Sequence, residues 1–182
     1  MRASPCTRLY VLRHAQPAAG HLPNADRPLS AVGEAQAQRL VPVLAGFGVQ
    51  AAYSSPYRRA VLTVAPFCRA SDVPLQLRDD LRESAADEEL CAVRARMAST
   101  TDAIAAAHPG QSVVVCTHGG CVWGLITRFE PEFGYEEYRR IRCPDLVCVE
   151  YGIQGPSLRP SLPAEADAAL SQVWALAASQ GG

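Results

Sequence analysis

The sequence predicts an α/β domain around a mainly parallel sheet, and three observations carry that expectation. Short apolar or β-branched runs alternate with longer alanine-rich stretches along the 182 residues. The longer stretches place apolar residues three and four apart, as at Leu40, Val43, Leu44 and Phe47, which suits helices covering sheet faces. With 48% hydrophobic residues, the chain can close a core as one domain over residues 1–182.

Each element has its own justification. The run Leu9-Tyr10-Val11-Leu12 predicts a first strand over 8–12. Ser30 is placed to cap a helix over 30–45, with Glu34 close to capping-box spacing and Gly46 and Gly48 free to end it. A strand over 51–54, a helix over 57–70 and a short strand over 75–77 follow. The next helix is expected over 87–107 and the turn His108-Pro109-Gly110 closes it. Val113-Val114-Val115 mark a strand over 112–117, followed by a helix over 120–129 and a strand over 146–151. The proline-rich stretch 155–163 reads as a surface excursion before a final helix over 164–179. There is no internal repeat and no low-complexity tract.

A net charge of −1 and a pI near 6.4 exclude a global basic field for nucleic acid or an acidic membrane. No apolar run approaches the roughly 20 residues that span a bilayer, and the N-terminal apolar stretch is short for a signal peptide. Seven cysteines, several inside apolar runs (Cys68, Cys116, Cys121, Cys148), suit reduced thiols. A cytoplasmic protein without nucleic-acid or membrane partners is expected; oligomeric state is left open.

In open parallel sheets, ligands settle beyond the carboxyl ends of the strands. Arg13-His14, Ser54-Ser55 with Arg59, and His118-Gly119-Gly120 all fall at such ends, so folding should gather two imidazoles and two guanidiniums at one edge. Guanidiniums bind phosphate oxygens through paired, charge-assisted hydrogen bonds, and the backbone at Gly119 can approach closely. A neutral imidazole held there can attack phosphorus, while a second one kept protonated would bind the transferring oxygens. Departure of the leaving group needs an acid; Glu83, after the third strand, is the candidate, with Glu88 and Glu89 as fallbacks.

Taken in order, these residues resemble the histidine phosphatase superfamily, which includes the cofactor-dependent phosphoglycerate mutases. Leu12-Arg13-His14-Ala15 is similar to that family's Arg-His-Gly element, with alanine in place of glycine. The segment from Asp26-Arg27-Pro28-Leu29-Ser30 into the helix resembles its turn, and Ser54-Ser55-Pro56-Tyr57-Arg58-Arg59-Ala60 its second arginine element. Leu81-Arg82-Glu83 and Val115-Cys116-Thr117-His118-Gly119-Gly120 fit its acid and second-histidine elements.

The resemblance implies a three-layer αβα sandwich, phosphoglycerate mutase-like. It implies a phosphatase of the histidine acid phosphatase type, with His14 as nucleophile, Glu83 as proton donor and no metal or organic cofactor. Arg13, Arg59, His118 and Gly119 would bind the phosphate, the arginine immediately before alanine selecting Arg59 over Arg58. The expected substrate is a small phosphorylated metabolite; a phosphoprotein such as protein phosphohistidine, a phosphoglycerate mutase reaction and a non-catalytic phosphate-binding module are the alternatives. Gln16-Pro17-Ala18-Ala19-Gly20 departs from the polar residue usual after the first histidine, and the segment between Glu83 and His118 leaves little room for a lid.

Other residues read more plainly. Cys116, His118 and Cys121 lack the paired spacing of a zinc site. The run Arg139-Arg140-Ile141-Arg142 suits a solvated face, Trp123 and Trp174 suit helix packing, and His21 and His108 suit the surface.

Overall fold

The computed structural model describes residues 6–159 and 164–178. Four strands, β1 (Thr7–Arg13), β2 (Val49–Ser54), β3 (Leu75–Leu77) and β4 (Ser112–Thr117), run parallel. Strands β5 (Asp145–Gly152) and β6 (Gly155–Leu158) add antiparallel on one side, giving the order β3-β2-β4-β1-β5-β6. The helices are α1 (Ala31–Gly46), α2 (Arg58–Ser71), α3 (Leu90–Ala107), α4 (Gly119–Ile126), α5 (Tyr135–Tyr138) and α6 (Ala164–Ala178), with a single 3-10 turn at Asp79–Leu81.

Strand alternation divides the core into two halves. Tyr10, Leu12, Val114 and Cys116 pack with α1, α2 and α6, whereas Leu9, Val11, Val113 and Val115 pack with α3 and α4 on the other face. Because both faces of β1 and β4 are buried, a one-residue slip would exchange the two sets and mismatch every facing helix, which fixes the register. The outcome is an αβα sandwich around a mostly parallel sheet.

Several boundaries differ from expectation. Ser30 caps α1 by accepting the Gly33 N–H at 3.0 Å, while Glu34 lies one place beyond the position that closes a capping box. Helix α3 starts at Leu90 instead of 87, because residues 83–89 form a loop whose Glu88 is paired with Arg96. Helix α4 begins at Gly119 and stops at Ile126. The stretch 155–163 is not wholly an excursion: Gly155, at φ +98°, turns a hairpin into β6, and Pro156 is tolerated there because the strand is at the edge. The rest of that stretch, 160–163, and Ser179 of the expected final helix lie outside the described residues.

His108 is half-buried, contrary to the surface reading. Its Nδ1 lies 2.9 Å from Gln111 Oε1, which can only accept, so Nε2 is left to take the Tyr53 hydroxyl at 2.9 Å. His21 is exposed. Trp174 donates to the Pro144 carbonyl at 2.7 Å, and Trp123 to that of Phe133 at 3.0 Å, both as packed side chains. Among the described residues, no helix is long and apolar enough to cross a membrane.

Candidate active site

Strands β2, β4 and β1 are adjacent and parallel, so their carboxyl ends deliver Ser54-Ser55, His118 and Arg13-His14 to one edge. The His14 N–H donates to the Thr117 carbonyl and the Ser55 N–H to that of Cys116, at 3.0 and 2.9 Å, extending the ladder into the site. The two imidazoles lie edge to face with centroids 5.2 Å apart, and His14 and His118 are 4% and 0% exposed.

His14 is held in one tautomer. Its Nδ1 sits 2.8 Å from the Ala15 carbonyl, which requires a proton there, and its Nε2 accepts from Arg59 Nε at 3.0 Å. The one lone pair on Nε2 is therefore directed at the Arg59 guanidinium. Burial drives the ring toward neutrality and pulls its pKa down to about 3, with Arg59, Arg13 and Arg27 adding repulsion against the Ala15 hydrogen bond.

His118 corrects an expectation, because it too is pushed toward the neutral form. Burial is the main cause, followed by His14, Arg59, Arg13 and Arg96. Ser55 Oγ lies 2.7 Å from His118 Nε2, whereas Nδ1 is buried, lacks a hydrogen-bond partner and points toward Glu83 Oε2 at 3.9 Å.

Arg59, in the first turn of α2, is 2% exposed, while Arg58 faces solvent. Its Nη1 donates to the Asn24 carbonyl at 2.5 Å. Arg13 donates from Nη1 to the Ile141 carbonyl at 2.6 Å and lies across the start of α4. A Cβ at Gly119 would come within 3.0 Å of the Arg13 guanidinium carbon, so glycine is what allows that approach.

Glu83 comes over the end of β4 because the loop after the 3-10 turn folds back, anchored by the fully buried Leu81 and by Thr117 Oγ1 donating to the Leu81 carbonyl at 2.7 Å. Its Oε1 accepts from the Ser84 N–H at 3.0 Å. Of the fallbacks, Glu88 is occupied by Arg96 at 2.7 Å and Glu89 sits at the solvent-facing start of α3.

Sequence reasoning missed Arg27 as a site residue. Its charge acts on both His14 and Arg59, and its Nε is buried without a partner. An antiparallel bridge between Pro17 and Leu29 folds the 16–29 loop back on itself, and Pro28 disfavours helical backbone at Arg27. That Arg-Pro pair was the available signal. Ser55, expected at this edge but given no role, orients His118, and Tyr57, whose ring lies 5.0 Å from that of His118, was passed over.

Three buried side-chain donors lack partners among the described residues: Arg13 Nε, Arg27 Nε and His118 Nδ1. All three belong to this cluster. A buried, unpaired donor costs roughly 1–3 kcal/mol, more when charged, so an arrangement that keeps three of them is built to receive an acceptor with several oxygens.

Comparison with known proteins agrees with this fold. Similar solved structures include YhfR of Bacillus stearothermophilus, at 19% identity and a TM-score of 0.72 over 84% of this chain and 95% of that one. A phosphoglycerate mutase from Bacillus anthracis is similar at 20% identity and 0.71, over 91% and 97%. A phosphoserine phosphatase from Entamoeba histolytica, in complex with phosphoserine, reaches 0.70 at 16% identity over 87% and 97%. No curated protein sequence matches. The family description that matches residues 9–88 and 84–158 is that of the histidine phosphatase superfamily, branch 1, and this chain belongs to that superfamily.

Proposed function

We propose that this protein is a phosphomonoester hydrolase that works through a phosphohistidine on His14, with a small phosphorylated metabolite as substrate. The observation that carries this reading is the gathering of three unpaired buried nitrogens around an imidazole whose proton is held on Nδ1 and whose Nε2 lone pair is engaged only by the Arg59 guanidinium, itself a phosphate ligand in this reading. Superfamily membership, and the phosphatases among the structurally similar proteins, support it.

In the first half-reaction, the Nε2 lone pair forms a bond to phosphorus as the bond to the leaving oxygen breaks. Glu83 gives a proton to that oxygen. Arg13, Arg27 and Arg59 hold the equatorial oxygens, and neutral His118 donates from Nδ1; Arg59 Nε turns from His14 to the phosphoryl group, while Arg13 Nε, Arg27 Nε and His118 Nδ1 are unpaired beforehand, which lowers the reorganisation in the barrier. In the second half, Glu83 takes a proton from water as the water oxygen attacks phosphorus, and the P–N bond breaks to return neutral His14 with inorganic phosphate. No step requires a metal.

Hydrolysis is favoured over mutase chemistry because the chain from Glu83 to His118 holds only the acid loop, α3 and β4, with no insertion to shield the phosphoenzyme from water. The test is incubation with a chromogenic aryl phosphate in excess chelator, followed by an alkaline denaturing quench and a search for a base-stable, acid-labile phosphoryl group on the protein. Turnover and label on His14, both lost in His14→Ala, are expected. Phosphate binding without turnover would instead identify a binding module, and unchanged turnover in His14→Ala would overturn the assigned nucleophile.

A further inference from the structure

We propose that Arg96 on α3 is the positioning residue for the proton donor, acting by locking the loop that carries Glu83. This rests on the reading of Glu83 as the acid and adds how its place is set. Three consecutive carbonyls just before Glu83 are held by side chains of three elements, α3, β4 and α4. Arg96 Nη1 donates to Asp80 O at 2.7 Å and to Arg82 O at 3.1 Å; Thr117 Oγ1 holds Leu81 O at 2.7 Å; Cys121 Sγ–H reaches Arg82 O at 3.0 Å. On the far side of Glu83, the same guanidinium forks onto Glu88, Nε to Oε1 at 2.8 Å and Nη2 to Oε2 at 2.7 Å.

One planar cation thus clamps the loop before and after the acid. The Glu88–Arg96 pair is 15% and 14% exposed, so it is protected from the screening that weakens surface pairs. Arg96 does not hydrogen-bond to Glu83, and the acid's carboxylate takes its local bonds from Ser84. Its influence must therefore pass through the backbone. That backbone needs fixing, since among the described residues Glu83 takes its hydrogen bonds from the adjacent Ser84 and its ion-pair approach to His118 is a long 3.9 Å. Lysine cannot replace this arrangement, because an ammonium has neither the fork for Glu88 nor a second arm for the carbonyls.

The diagnostic readout is the dependence of kcat/KM on leaving-group basicity, measured for alkyl and aryl phosphates in the wild type and in Glu83→Gln, Arg96→Ala, Arg96→Lys and Glu88→Gln. Loss of proton donation penalises poor leaving groups selectively, whereas general loosening of the fold lowers all rates alike. Arg96→Ala should lose about 10- to 100-fold on alkyl phosphates and less than about threefold on a nitrophenyl ester, approaching Glu83→Gln. Added guanidinium ion should restore part of the alkyl activity. Binding of inorganic phosphate should stay within about twofold of wild type, which also verifies folding. Should Arg96→Ala fail to fold, Arg96→Lys and Glu88→Gln carry the same expectation at smaller amplitude. Equal losses on both substrate classes in these variants, beside a selective loss in Glu83→Gln, would overturn the role of Arg96. An equal loss in Glu83→Gln itself would instead overturn the acid assignment.

Discussion

Two neutral histidines buried among arginines make stability fall in mild acid by an amount that can be worked out. His14 is pulled down to about 3 and His118 is also lowered, burial leading in both. The unfolded chain ionises each near its ordinary value of about 6.5, so between that pH and the folded value the unfolded state binds more protons. Stability therefore rises with pH across the window and is lost as pH falls. A histidine that stays neutral when folded loses about 2 kcal/mol of stability between pH 7 and pH 5, or about 4 kcal/mol for the pair. The result is insensitive to how far below pH 4 the folded values lie.

The groups that face the pair are the cations Arg13, Arg27, Arg59 and Arg96 and the carboxylate of Glu83, which does not neutralise them. Buried Asp145 is raised, an effect of opposite sign that strengthens the fold as pH falls. Urea unfolding at half-unit steps from pH 7 to pH 5 measures the slope. His14→Asn should remove about half of it while leaving the Asp145 contribution in place, and saturating inorganic phosphate should flatten it by raising both imidazoles. A wild-type midpoint that does not move over this range, or a slope unchanged in His14→Asn, would refute the claim that these rings are neutral and cation-facing.

Other substitutions separate binding from folding. Arg27→Ala should weaken inorganic phosphate about tenfold or more, at roughly 1.5–3 kcal/mol for a charged hydrogen bond, yet leave the urea midpoint unchanged or raised because an unpaired buried guanidinium atom disappears. Gly119→Ala places a methyl within 3.0 Å of the Arg13 guanidinium, whose flexible end can move; phosphate affinity should drop with little change in melting temperature by calorimetry. Gly33→Ala behaves in the opposite way. Its Cβ would lie 2.1 Å from the Gln16 carbonyl oxygen, so the backbone must shift, and a loss of about 1–3 kcal/mol in urea unfolding should exceed the helix-propensity gain of about 1 kcal/mol.

What the sequence made legible follows from where the constraints are local. Val113-Val114-Val115 could only be a buried strand, and Arg13, His14 and His118 were legible as a group because each follows such a strand directly. Arg27 lies 14 residues after Arg13's strand ends, in a loop whose return depends on the Pro17–Leu29 bridge, so no periodicity announces it. Strand β6 was concealed by Pro156, which argues against a strand everywhere except at an edge, and edges are a property of the whole sheet. The late start of α3 was concealed by Glu88, a good helix former that the Arg96 fork holds in a loop instead. The charge of His118 was the deepest miss: two imidazoles in one pocket suggest one proton between them, but burial first, and the surrounding guanidiniums after it, decide that neither keeps it.

That same surplus of positive charge links stability to chemistry. A pocket with three unpaired donors and two unprotonated imidazoles is a poor place for a folded chain to rest and a good one for a phosphoryl dianion, because the anion satisfies the donors and restores the proton affinity of His118 in one event. Phosphate should therefore raise the melting temperature more at pH 5.5 than at pH 7.5 at equal saturation, since at the lower pH its binding is coupled to proton uptake. Calorimetric titration in two buffers of different ionisation enthalpy reads that uptake directly. Zero proton uptake at pH 5.5 would mean that His118 keeps the same charge with and without the anion, and the coupling argued for this site would be wrong.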